Sequence, residues 1–109
     1  MVELTKDNFE AEVLQSERPV FVDFWGESCK ACLKFMPGVH ELSNIYSDKM
    51  KFASLNISLS RKTAIGQRVL GLPTMIIYND GEKVSILTPD KISTLGDIEN
   101  FIKEYYNKL

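Results

Sequence analysis

The feature that most constrains the fold is a nearly uninterrupted apolar run, residues 20–25, followed closely by the pair Cys29-x-x-Cys32. A strand that is apolar on both faces belongs inside a sheet covered by helices. The small residues after the run predict a turn, so that Cys29 opens the next helix. Unsatisfied N–H groups and the helix dipole favour an anion there, and Cys29 should therefore ionise to a thiolate more readily. Cys32, one turn on, could then resolve a mixed disulfide made by Cys29.

Length and composition narrow the class of protein. The chain of 109 residues suffices for one core, so we expect a single domain over residues 1–109. Its net charge of −2 favours neither nucleic acid nor a membrane surface as a partner. The N-terminal residues lack a basic stretch followed by an apolar one, and we therefore expect a cytoplasmic location. Two cysteines are too few for a disulfide-stapled secreted scaffold, whereas an isolated C-x-x-C pair is typical of a redox site.

Hydrophobic periodicity and turn signals predict the element order β-α-β-α-β-α-β-β-α. The predicted strands are residues 1–4, 20–25, 50–57, 74–78 and 83–87, and the predicted helices are residues 6–15, 29–46, 60–69 and a last helix after residue 94. A strand–helix–strand unit forces a parallel pair, whereas the hairpin signal Asn79-Asp80-Gly81 makes the last two strands antiparallel. The fold class is therefore α/β, with a central mixed five-stranded sheet flanked by four helices.

Three of the predicted helices have a defined start or an apolar face. Thr5 can cap the first helix, and Thr94 with Asp97 resembles a capping box for the last. The predicted apolar face of the second helix comprises Ala31, Phe35, Val39, Leu42 and Tyr46, and that of the last comprises Ile98, Phe101, Ile102 and Tyr105. Because the second helix opens at the carboxyl end of a strand, Cys29 should lie where sites are built in open α/β sheets.

These motifs resemble the thioredoxin family over nearly the whole chain, from about residue 2 to residue 106. The resemblance rests on Val22–Trp25, Cys29-x-x-Cys32, Pro37, Gly71-x-Pro73-Thr74 and Asp80-Gly81. It implies a thioredoxin fold and an activity as a protein dithiol–disulfide oxidoreductase, an electron carrier that reduces client disulfides. It also implies a flavoprotein thioredoxin reductase as partner, a monomer, and a redox-active disulfide in place of any bound cofactor or metal.

The resemblance assigns roles to three residues around the redox centre. Cys29 would be the nucleophile, and Cys32 would be the resolving thiol that leaves a Cys29–Cys32 disulfide. Asp23 interrupts the apolar strand, and complete burial raises a carboxyl pKa by roughly 3–5 units. Such a carboxyl beneath Cys32 could accept and return its proton, which is the role that the family gives to this position.

A second group of residues is expected to bind the client. Pro73 is carried over from the family as a cis-proline facing the cysteine pair, and only about 5–6% of X–Pro bonds in folded proteins are cis. With Gly71 before it, it would present the backbone of Leu72 to an extended client segment, as an edge strand does.

Several positions depart from the family's usual pattern. Ser28 occupies the place of a tryptophan, Lys30-Ala31 that of Gly-Pro, and Ser54 that of a lysine; residues 88–90 occupy a stretch where the family has a glycine. All lie where the potential and the choice of client are set. They also suggest a narrower role, with one dedicated reductase or client set.

Two of these substitutions carry a prediction. A cation at Lys30 should stabilise the Cys29 thiolate and raise the reduction potential slightly, while the effect of Ala31 on the helix start has no predictable sign. Ser54 should leave Asp23 without a cationic partner and raise its pKa further. Trp25, the only tryptophan, would shield the pair and report its redox state.

Three other classes of function remain open from the residues. The two C-x-x-C pairs of a dimer could supply the four ligands of a closed zinc site, although one chain alone has too few ligands. The fold could instead serve as a binding module in which the cysteines are incidental. The pair could also act as an oxidant or isomerase in an oxidising compartment.

Overall fold

A five-stranded mixed sheet organises the computed structural model, which describes residues 1–109. Its strands are β1 (Val2–Leu4), β2 (Val20–Trp25), β3 (Lys51–Asn56), β4 (Thr74–Asn79) and β5 (Glu82–Leu87). They lie side by side in the order β1-β3-β2-β4-β5. β3 is parallel to both β1 and β2, whereas β4 is antiparallel to β2 and to β5. The predicted mixed sheet is thus confirmed, with the cysteine-bearing helix leaving from its central strand.

Four helical segments flank this sheet. They are a π-helical segment at Glu10–Leu14 and the α-helices α1 (Lys30–Tyr46), α2 (Arg61–Gly66) and α3 (Leu95–Tyr106). A short 3₁₀ turn, Pro89–Lys91, precedes α3. Thr94 accepts a hydrogen bond from the backbone N–H of Asp97, whose carboxylate in turn accepts one from the N–H of Thr94, so the predicted capping box is confirmed.

The central strand divides the core into two layers. Val20, Val22 and Phe24 point to the face covered by the Glu10–Leu14 segment and α2. Phe21 points to the opposite face, where it packs among buried side chains of α1 and α3. Because successive strand residues alternate between faces, Asp23 lies on the same side as Phe21, under α1.

The β4–β5 hairpin confirms the turn predicted at residues 79–81. Asp80 and Gly81 have φ angles of 53° and 79°. Positive φ at both central residues is the two-residue turn geometry that matches the twist of the flanking strands. A Cβ on Gly81 would lie 2.8 Å from the carbonyl oxygen of Leu14, so glycine is needed there for space as well as for conformation.

The first predicted helix differs in form from the expectation. A turn occupies residues 6–8, and the helical part is the five-residue π segment at 10–14. Thr5 and Asn8 hold this turn: Asn8 accepts a hydrogen bond from the N–H of Thr5 over 2.7 Å, and Asn8 Nδ2 donates to the carbonyl of Glu3. Thr5 Oγ1 also accepts from the N–H of Asp7 over 3.2 Å, and the carbonyl of Thr5 accepts from the N–H of Phe9 over 3.1 Å, so Thr5 caps this segment as predicted.

Two further details of the helices were predicted wrongly. α2 ends at Gly66 rather than at residue 69, because Arg68 adopts a left-handed φ of 61° that stops the helix. Ala31 is exposed, and its place on the buried face of α1 is taken by Cys32. Ala31 and Cys32 both precede Phe35 by about one helical turn. Because α1 begins with Cys29 as its N-cap, Cys32 is the one that faces the core.

Candidate active site

The two cysteines form a disulfide at the N-terminus of α1, close to the carboxyl end of β2. Cys29 is the N-cap residue, and its N–H donates to the carbonyl of Gly26 over 3.1 Å. The backbone N–H of Cys32 donates to Cys29 Sγ over 3.1 Å. Cys29 is half-buried, whereas Cys32 is only 2% exposed. The pair is therefore asymmetric: one sulfur is open to a partner, and the other faces the interior.

Asp23 is buried in the sheet beneath α1, with 2% of its surface exposed. Its Oδ1 has no hydrogen-bond partner. Desolvation by burial raises the pKa of Asp23 from 3.8 to about 7, and no charged neighbour contributes to this shift. Its register partners are Ser54 on β3 and Met75 on β4, so the strands beside it place no cation against the carboxyl. The side chain can therefore hold or release a proton near neutral pH.

The loop before β4 brings backbone to the same end of the sheet. The Leu72–Pro73 peptide bond is cis, and Pro73 is buried. A Cβ added to Gly26 would lie 3.0 Å from Leu72 Cδ1, so this loop packs against the turn that leads to Cys29. A Cβ on Gly71 would lie 3.3 Å from Pro89 Cγ. The loop before β4 thus contacts both the turn that leads to Cys29 and the turn that precedes α3.

Three residues expected to tune the pair occupy different environments. Lys30 and Ala31 are exposed on the first turn of α1. Trp25 is half-buried and lines a cleft together with Ser54 and Asn56. Trp25 therefore shares a cleft with Ser54, the residue that is in register with Asp23.

Gly26 was missed from the sequence, and Pro89 was noted only as part of residues 88–90, which depart from the family pattern. Both allow or make a close approach between loops, which is a tertiary relationship. The local signal for Gly26 was its position at the end of the apolar strand, where a tight turn needs a small residue.

The structure also bears on metals and membranes. It contains no group of three or more His, Cys, Asp or Glu side chains arranged to hold a metal ion. None of its helices combines the length and apolar character needed to cross a membrane.

A disulfide that caps a helix at the carboxyl end of a central strand, with one sulfur accessible, defines a dithiol–disulfide oxidoreductase. A family model described as Thioredoxin matches residues 1–104. The chain is 43% identical over 105 residues to the thioredoxin of Acetoanaerobium sticklandii, covering 96% of this chain and 99% of that protein. It is 44% identical over 105 residues to the thioredoxin of Peptoclostridium acidaminophilum, covering 96% of this chain and 94% of that protein. It is 33% identical over 101 residues to the thioredoxin of Pseudomonas aeruginosa, covering 89% of this chain and 94% of that protein.

The chain belongs to the thioredoxin family. Its redox-active group is its own Cys29–Cys32 pair, and its clients are proteins with disulfide bonds.

Proposed function

We propose that residues 1–109 act as one thioredoxin domain that reduces client disulfides in the cytoplasm and is recharged by a flavoprotein thioredoxin reductase. The observation that carries the proposal is the asymmetry of the pair, with Cys29 half-buried and Cys32 2% exposed. Only a sulfur within reach of a client can begin the exchange, and only one protected from other thiols can finish it without side reactions.

The exchange proceeds in two steps. The Cys29 thiolate attacks one sulfur of the client disulfide, and the client S–S bond breaks as the mixed disulfide forms. Cys32, after losing its proton, then attacks the sulfur of Cys29 and releases the second client thiol. The client gains two electrons and two protons, and the pair is left as the Cys29–Cys32 disulfide.

Asp23 is the proposed proton acceptor for Cys32. An acceptor works best when its pKa lies near the working pH, and burial raises the pKa of Asp23 to about 7. In the reverse reaction, when the reductase returns electrons to the pair, the same carboxyl gives the proton back.

The Gly71–Pro73 loop is the proposed client-binding strand. Pro73 has no N–H to donate, and the Leu72 side chain packs against Gly26 in the turn before Cys29. An extended client segment could pair with this backbone as an added strand does. Such pairing reads the client's main chain rather than its side chains.

Lys30, Ala31 and Trp25 are proposed to tune the pair. The Lys30 ammonium lies one residue after the nucleophile and favours its thiolate by Coulomb attraction, weakened by solvent at an exposed position. Ala31, also exposed, replaces a rigid proline of the family pattern in the first turn. Trp25, the last residue of β2, lines the same cleft as Ser54.

The proposed order of attack can be tested by trapping. A Cys32→Ser variant should accumulate a mixed disulfide between Cys29 and a client disulfide protein, detected by mass spectrometry without reductant. The matched Cys29→Ser variant should form none, because its remaining thiol is buried. Trapping at Cys32 instead would reverse the roles.

The proposed partner is tested separately. Purified NADPH-dependent thioredoxin reductase should reduce the oxidised wild-type protein, measured as NADPH consumption. If NADPH is not consumed while client trapping still occurs, this reductase is not the partner, but the proposed thiol–disulfide exchange with clients stands.

A further inference from the structure

A groove of about 200 Å³ lies between residues 67–71 and the edge strand β5, and the reaction steps above do not use it. Its lining residues include the apolar Val69, Leu70, Ile76 and Ile86 and the cationic Arg68 and Lys83. Pockets that enclose small-molecule ligands measure roughly 300–1,000 Å³. This smaller, open groove suits one or two side chains of an extended polypeptide instead.

The segment that carries Leu70 is held at both ends. Tyr78 Oη donates a hydrogen bond to Gln67 Oε1 over 2.8 Å, and Thr74 Oγ1 donates one to the carbonyl of Gly71 over 2.6 Å. Between these two anchors the side chain of Leu70 is 96% exposed. A partner that covers an apolar side chain on such a fixed segment orders little of the protein, so little binding energy is lost to conformational entropy.

Two cations, Arg68 and Lys83, flank the groove without an acidic partner. Neither forms an ion pair, and no carboxylate lines the groove. Lys83 Nζ donates to the carbonyl of Gln67, and burial together with the positive charge of Arg68 lowers the pKa of Lys83. The chain has no acidic residue between Asp48 and Asp80. Two cations that repel each other beside an apolar groove would be stabilised by an anion placed between them.

The groove is continuous with the proposed client-binding loop. Gly71 and Pro89 both line it, and a Cβ on Gly71 would lie 3.3 Å from Pro89 Cγ. Leu70 precedes Leu72 by two residues, or about 6.6 Å of extended chain. A client segment paired with the backbone of Leu72 therefore reaches the groove within about two further residues. Two copies of this chain meeting groove to groove would instead oppose like charges, which disfavours a self-pair.

We propose that this groove selects clients that carry an acidic side chain next to an apolar one, about two to five residues from the reactive cysteine. The apolar side chain packs against Leu70 and Ile86, and the carboxylate lies between the Arg68 guanidinium and the Lys83 ammonium. This inference rests on the proposed role of residues 71–73 in client binding and deepens it. The groove adds no step to the thiol exchange, so its effect falls on client association rather than on resolution by Cys32.

The first test uses peptide disulfides that differ at one kind of position. Each peptide has a single cysteine and, about three residues away on both sides, a leucine followed by glutamate, glutamine or lysine. The reduced wild-type protein should reduce the glutamate peptide about two- to tenfold faster than the glutamine peptide, and the lysine peptide more slowly than either. Stopped-flow measurement of released peptide thiol gives the second-order rate constants, and the preference for glutamate should shrink at high salt.

The second test removes the two cations. Arg68→Asn combined with Lys83→Gln should abolish the preference for glutamate and leave the rate for the glutamine peptide near the wild-type value. Asparagine is chosen because it tolerates the left-handed φ of 61° at Arg68. The matched control, Lys62→Gln combined with Lys103→Gln, removes the same net charge at exposed positions outside the groove and should keep the preference. Leu70→Ser should slow all three peptides, because each carries the leucine.

Equal rates for the glutamate and glutamine peptides in the wild type would overturn the proposal. An unchanged preference in the Arg68 and Lys83 double variant would also overturn it, as would an equal loss of preference in the control. If that double variant keeps the peptide preference but raises the KM of thioredoxin reductase, the groove belongs to the reductase and not to clients. Reduction of the glutamine peptide at the wild-type rate in these cases would show that the thiol exchange stands, whereas failure to reduce any peptide would remove the exchange itself.

Discussion

The backbone N–H of Cys32 donates a hydrogen bond to the sulfur of Cys29 over 3.1 Å. Cys29 is the N-cap of α1, so its sulfur occupies the place that a serine or aspartate oxygen takes at other helix starts. After reduction, the same N–H faces the Cys29 thiolate, and a hydrogen bond to an ionised acceptor is stronger than one to a neutral acceptor. The helix start thus favours the reduced, ionised form of the nucleophile.

Replacing Lys30 with glutamine should lower the reduction potential of the pair. Without the ammonium group the Cys29 thiolate is less stable, so the reduced form is disfavoured. Exposed charge pairs contribute about 0.2–1 kcal/mol, and 30 mV corresponds to about 1.4 kcal/mol, so the expected change is roughly 5–20 mV. Equilibration with dithiothreitol buffers at low salt measures it.

Lys34→Gln is the matched control for that measurement. Lys34 is also exposed, but it lies one turn further along α1 and near the ring of Phe35. Its removal should leave the potential within error. Equal changes for the two variants would assign the effect to net charge rather than to the position of Lys30.

Asp23 should make the oxidised protein less stable as the pH rises from about 4 to about 7. Its pKa is 3.8 in an unfolded chain and about 7 in the folded protein, so the folded state binds the proton more tightly. Below both values the carboxyl is protonated in both states, and the full stability is present. At about 1.4 kcal/mol per pH unit, up to about 4 kcal/mol is lost by pH 8.

Urea unfolding at pH 5 and pH 8 checks this prediction. Asp23→Asn cannot ionise, so it should lose most of this pH dependence and be more stable than the wild type at pH 8. Asp90→Asn, at an exposed site, serves as the control and should keep the wild-type slope. An Asp23→Asn variant with the wild-type slope between pH 5 and pH 8 would assign the pH dependence to other groups.

Asp23→Asn should also slow the resolution step, in which Cys32 attacks the mixed disulfide at Cys29. An acid–base group typically accelerates a step by at least about 10²-fold, and the inflection near pH 7 should disappear in Asp23→Asn. Single-turnover release of the second client thiol, followed by stopped flow from pH 6 to pH 9, measures both effects. An unchanged pH profile in the variant would rule out Asp23 as the base.

Gly81→Ala should destabilise the fold, whereas Gly66→Ala should not. Gly81 has a φ of 79° and faces the carbonyl of Leu14, so alanine there should cost about 1–2 kcal/mol or more. Gly66 lies in α2 with open space around it, and alanine should add about 0.5–1 kcal/mol. Urea midpoints of the two variants measure the contrast, and a loss of stability in both would contradict it.

Local signals predicted most of the fold. The apolar run of β2, the turn at residues 79–81 and the capping box at Thr94 each determine their own backbone and needed no knowledge of the rest. The first helix and the end of α2 were predicted less well. The π-helical form of the first segment and the left-handed φ of Arg68 after α2 are backbone features that hydrophobic periodicity does not encode.

The site shows the same division. The run of apolar residues and the turn after it predicted Cys29 at the helix start and Asp23 inside β2, whereas periodicity put Ala31 rather than Cys32 on the buried face of α1. The meeting of Leu72 with Gly26 joins residues 46 positions apart in the chain. No local pattern predicts such a contact, so the loops around the disulfide were visible from the sequence only through the family resemblance.

The reduction potential of the Cys29–Cys32 pair tests the proposed reductant role most directly. Trp25 fluorescence and the thiol count, read together across dithiothreitol buffers, should give one two-electron transition. We predict a midpoint between about −290 and −230 mV, a range that includes the value of about −270 mV of thioredoxin itself. A midpoint above about −200 mV, in the direction of disulfide isomerases, would contradict the role as a reductant and the cytoplasmic location with it.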